Sequence, residues 1–112
     1  MKKLDLSYIE SICDGDKEMM KEFSDIFIAQ VPEFIADFDT AYTDKDVAKL
    51  GSVAHKAKSS VRVMGLEDLG NELSKLEEAA ESGNFSESYI DYINTFKEVC
   101  SDTLEQLEVY FG

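Results

Sequence analysis

Tryptophan is absent from this chain, proline and histidine occur once each, and cysteine occurs twice. Each scarcity closes off a class of answer. Cys13 and Cys100 are too few and too far apart for a disulfide framework or a zinc site. They read as two reduced, semi-buried thiols, and the cytoplasm is the default compartment. One proline and six glycines leave few helix breakers in 112 residues. No apolar run approaches the roughly 20 residues that cross a bilayer. The opening Met1-Lys2-Lys3-Leu4-Asp5 has basic residues with no apolar segment behind them, so no signal peptide is read there. Cations are scarce too: 11 Lys and Arg stand against 24 Asp and Glu, a formal charge of -13. A phosphate-neutralising surface needs the opposite balance, which argues against nucleic-acid binding. Attraction to an anionic membrane is disfavoured for the same reason.

What remains is helical. No stretch alternates with period two for long enough to suggest a strand, and no internal repeat appears. A short first helix is expected over Leu6 to Cys13, closed by Asp14-Gly15-Asp16 with Asp16 as the next N-cap. In the second, Lys17 to Tyr42, Met20, Phe23, Phe27, Val31, Phe34, Phe38 and Ala41 recur at three and four, one apolar stripe. Pro32 lies inside it and predicts a kink, since an interior proline removes a backbone hydrogen bond. Asp44 or Asp46 caps a third helix, Val47 to Met64, with Gly65 as its C-cap candidate. A fourth is expected over Glu67 to Glu81 and a fifth over Ser86 to Tyr110, the latter burying Tyr89, Ile93, Phe96, Cys100, Leu104 and Leu107. The fold class is all-α: a single domain over residues 1–112, an antiparallel up-down four-helix bundle with a short extra N-terminal helix. The stripes are fully used inside one bundle, so a monomer is expected.

His55 lies one step from Ala54, on the shoulder of the third helix's buried stripe. Its helical neighbours are Gly51, Ser52, Lys58, Ser59 and Arg62. From Val47 to Met64 the chain carries Lys49, Lys56, Lys58 and Arg62 and no acid, a local inversion whose sign suits a group that becomes anionic. The plainer reading is a solvated helix face. A metal site is disfavoured because no second His or Cys stands at ligand spacing. Neither a Ser-His-Asp arrangement nor a glycine-rich phosphate loop can be assembled.

The stretch Ala54-His55-Lys56-Ala57-Lys58-Ser59-Ser60-Val61-Arg62-Val63-Met64-Gly65-Leu66 resembles the signature of histidine-containing phosphotransfer (HPt) domains. The His, the Lys three residues on, the small residue after Ser59, the apolar Met64 and the Gly-Leu ending align without a gap. Ser59 stands where the family usually has Gly, and Ala57 where Leu is commoner. The wider layout is similar over about residues 5–110. The resemblance implies a phosphocarrier of a two-component phosphorelay, with His55 as the phosphorylated nucleophile and Lys58 beside the phosphoryl group. It implies docking of receiver domains over Gly51, Ser52, Ser59 and Arg62. The partners would be response-regulator receivers and a hybrid sensor kinase. No cofactor is expected on this chain, magnesium coming with the receiver, and no ATP-dependent kinase activity of its own. Met1 favours a standalone protein. The competing reading is a helical adaptor of similar fold that carries no phosphate.

Overall fold

The computed structural model describes residues 7–111, and the described residues form five helices and no strand: α1 (Ser7–Ile12), α2 (Lys17–Thr43), α3 (Val47–Val63), α4 (Glu67–Ala80) and α5 (Tyr89–Phe111). Leu6, expected to open the first helix, lies outside them. The helices stop where their caps dictate. Asp16 accepts from the amides of Glu18 and Met19, and Asp46 from that of Lys49, satisfying donors that have no partner within the helix. Gly65 closes α3 at φ +79°, a left-handed conformation that costs a residue with a Cβ.

The helix α2 runs unbroken through Pro32, which sits on its exposed side. The proline removes only the donor that the Ile28 carbonyl would receive. The buried stripe differs from expectation at one turn: it passes through Ser24 and not Phe23, giving Met20, Ser24, Phe27, Val31, Phe34, Phe38 and Ala41. Position along the helix, and not residue polarity, decides what is buried, and the Ser24 hydroxyl is satisfied by donating to the Met20 carbonyl at 2.9 Å. Phe23 packs on the edge of the core.

The start of α5 is also later than expected. Ser86 Oγ accepts from the Ser88 amide, and the next amides bond three residues back, so a turn occupies the residues before Tyr89. Phe85 is meanwhile held between Tyr42 and Tyr89. Within α5, Leu104 is only half-buried, while Thr103 takes the interior position.

The four long helices close a ring, α2 on α3, α3 on α4, α4 on α5 and α5 back on α2, while α1 packs against α2. The body measures 44 × 22 × 21 Å. Phe38 and Phe96 meet edge-to-face at 5.2 Å between centroids, with Phe34 against the same ring at 6.2 Å, so the α2–α5 side holds the aromatic core. The most extensive helix contact is between α3 and α4. This seam carries the site.

Candidate functional site

Along the α3–α4 seam the residue numbers rise on one helix as they fall on the other. Gly51 faces Ala80, His55 meets Glu77, and Arg62 lies over Gly70. A chain leaving α3 through Met64-Gly65-Leu66 must return antiparallel, and these pairs are its register.

His55 projects from the middle of α3 with its side chain 64% exposed, between the buried Ala54 and the exposed Lys56. Its Nδ1 lies 2.8 Å from Glu77 Oε2. The other oxygen of the same carboxylate, Oε1, accepts from Lys58 Nζ at 2.6 Å. Lys58 is 19% exposed and Glu77 25%, so this ion pair is partly shielded from water while the imidazole is not. The Lys58 ammonium holds the Glu77 carboxyl below the usual carboxylate range; burial works the other way, and the bond to His55 adds to the lowering. An ionised carboxylate only accepts hydrogen bonds, so Nδ1 must be the donor. In the neutral ring the remaining nitrogen, Nε2, then carries the lone pair. The arrangement fixes one tautomer and presents the basic nitrogen of an exposed ring.

The structure thus brings His55 and Lys58 together through a residue to which the sequence reading assigned no role. Glu77 follows Leu73 by four residues and precedes Ala80 by three, on the shoulder of the α4 stripe as His55 is on that of α3. That shared shoulder was the available signal. Gly51 and Ser52 line a shallow groove beside His55 together with Val47, Lys56 and Glu81. Ser59 lies in a second groove, between α2 and α3, with Phe23, Ile26 and Val63. Ser60 ties these two helices by donating to Gln30 Oε1 at 2.9 Å. Arg62 is turned toward the start of α4, where its Nη2 donates to Asn71 Oδ1 at 3.1 Å and its Nε lies 3.5 Å from Glu67.

The family model of the Hpt domain matches residues 22–110. The chain belongs to the Hpt domain family. The match begins within α2 and ends near the end of α5, so it covers all four helices of the Hpt ring. A curated relative is the phosphorelay intermediate protein YPD1 of Candida albicans, 25% identical over 89 residues that cover 80% of this chain and 48% of the relative. The chain spans about half the length of the curated relative it matches. No solved structure matches it. Among the described residues, no helix of this Hpt domain is long and apolar enough to cross a membrane.

Proposed function

We propose that this Hpt domain carries a phosphoryl group on His55, taking it from the aspartyl phosphate of one receiver domain and passing it to the aspartate of another. The observation that supports this most directly is the exposed imidazole whose Nδ1 is engaged by the Glu77 carboxylate. Nε2 attacks phosphorus, the N–P bond forms, and the P–O bond to the aspartate breaks with the carboxylate as leaving group. The Nδ1 proton stays on the ring throughout, and Glu77 faces the positive charge that the ring acquires. Phosphoryl transfer asks mainly for in-line positioning and charge neutralisation. Lys58 lies one helical turn from His55 and supplies the cation, exchanging Glu77 for the phosphoryl oxygens. Magnesium and the acceptor aspartate come with the receiver, and the first phosphate comes from a hybrid sensor kinase. The domain itself is a carrier without a kinase activity of its own.

The receiver docks over the two grooves flanking His55, with Gly51 and Ser52 on one side and Ser59 on the other. Arg62 serves that face indirectly, holding the start of α4 through Asn71 and Glu67. The relative's printed description as a phosphorelay intermediate agrees with this reading. The cytoplasm, where two-component receivers work, is the corresponding compartment, and the domain acts as a monomer.

Incubation with a phosphorylated receiver, read by intact mass at neutral pH, should add one phosphate that is acid-labile and base-stable. His55→Gln should take none. Label that survives acid, or that persists in His55→Gln, would replace the carrier reading with serine chemistry; no label on the wild type would favour the adaptor.

A further inference from the structure

The bond between His55 and Glu77 joins two helices, so its length depends on how closely α3 and α4 approach. Gly51 lies one turn from His55 and Ala80 one turn from Glu77, and a Cβ placed on Gly51 would stand 3.1 Å from the Ala80 Cβ. That is tighter than an ordinary van der Waals contact, so a Cβ at position 51 requires Ala80, at the end of α4, to give way by a few tenths of an ångström, and a larger side chain by more. At the far end of the seam the roles reverse. Here α4 contributes the glycine, Gly70, and the Arg62 stem fills the space, with Nε 2.7 Å and Cγ 2.8 Å from where a Cβ would be. The arginine stem is flexible and can yield, whereas Ala80 has no side-chain torsion with which to move away. Gly51 is therefore the stiff point. Helix propensity disfavours glycine in the interior of α3, and nothing in the backbone requires it there, since Gly51 has no left-handed φ.

We propose that Gly51 is a positioning residue: its missing side chain, set against Ala80, fixes the α3–α4 separation at which Glu77 reaches His55 and holds its proton on Nδ1. The carboxylate is held from one side by Lys58 on the same α3 helix, so an outward shift of α4 lengthens the bond to His55 while the flexible lysine follows. The spacing thereby controls which ring nitrogen is nucleophilic. A tautomer with the proton on Nε2 would have no lone pair to offer a phosphorus atom in front of the ring. The inference rests on the carrier reading for its consequence, but the tautomer itself is measurable without phosphate.

The test is the ring-nitrogen spectrum of His55 by NMR on the full chain, followed to the alkaline plateau of its chemical shifts. The wild type should show the Nδ1–H tautomer. Gly51→Val should lose that preference as fully as Glu77→Ala does, and Gly51→Ala should lose part of it. Adding Ala80→Gly to Gly51→Ala returns the missing volume and should restore the wild-type spectrum. Helicity by circular dichroism should be retained in every variant carrying alanine or valine at position 51, so that a loss of tautomer is not a loss of fold. An unchanged Nδ1–H preference in Gly51→Val, or failure of Ala80→Gly to rescue Gly51→Ala, would overturn the proposal. A wild type that keeps its Nδ1–H tautomer yet takes no phosphate from a receiver would instead refute the carrier reading and leave the spacing role standing.

Discussion

Two of the four seams of this bundle, α2–α5 and α3–α4, are built from different materials. Between α2 and α5 lie Phe34, Phe38 and Phe96 packed edge-to-face, with a peripheral ion pair between Lys97 and Asp39 at 2.8 Å. Between α3 and α4 the contacts at the surface edge are a glycine against an alanine, a carboxylate shared by a lysine and a histidine, and an arginine laid over a second glycine. Large rings fill volume and resist separation; small residues allow close approach and leave charged groups at the rim. The comparison separates stability from chemistry within one fold. Rings fill the α2–α5 side, while the α3–α4 seam holds an exposed histidine at hydrogen-bonding distance from a carboxylate.

The sharpest way to break the comparison is to hollow out the aromatic side. Phe96→Ala removes a fully buried ring and should cost about 3–5 kcal/mol in denaturant unfolding. The carboxylate clamp offers a smaller lever. Glu77→Gln should cost about 1 kcal/mol near neutral pH, because it removes the charge from two hydrogen bonds but keeps an acceptor. Because Lys58 lowers the Glu77 carboxyl below its unfolded value, this contribution is present above the ordinary glutamate range. It is lost as pH falls through the lowered value, so wild type and Glu77→Gln should converge in stability as the solution is acidified past the ordinary glutamate range. A gap that widens on acidification would mean that the pair does not stabilise the fold. The smallest effect belongs to His55→Ala, which should stay within about 0.5 kcal/mol of wild type because the imidazole is mostly exposed and Glu77 keeps Lys58. If His55→Ala were the worst of the three, the division between the seams would be wrong.

The same contrast explains what could be read from the chain. Apolar recurrence lies within one helix, so the extents of α3 and α4 and the Asp16 cap were legible, with Asp46 one of two candidates for the next cap. Ser24 was not, because a serine carries no apolar signal even where the geometry buries it and its hydroxyl turns back to Met20. The start of α5 was missed because the serines of that loop compete for the backbone amides. His55 and Lys58 share one helix face and were found together. Glu77 and Ala80 come from another helix, and their partnership depends on the α3–α4 register, which no single periodic segment contains. Arg62 shows the same limit: its place on α3 put it beside His55 in projection, but its guanidinium follows α4.

The most direct test of the account is the identity of the phosphorylated atom. After transfer from a phosphorylated receiver, long-range proton–nitrogen NMR of His55 should place phosphorus on Nε2, with the proton retained on Nδ1 against Glu77. Phosphate on Nδ1, or on any residue other than His55, would contradict it.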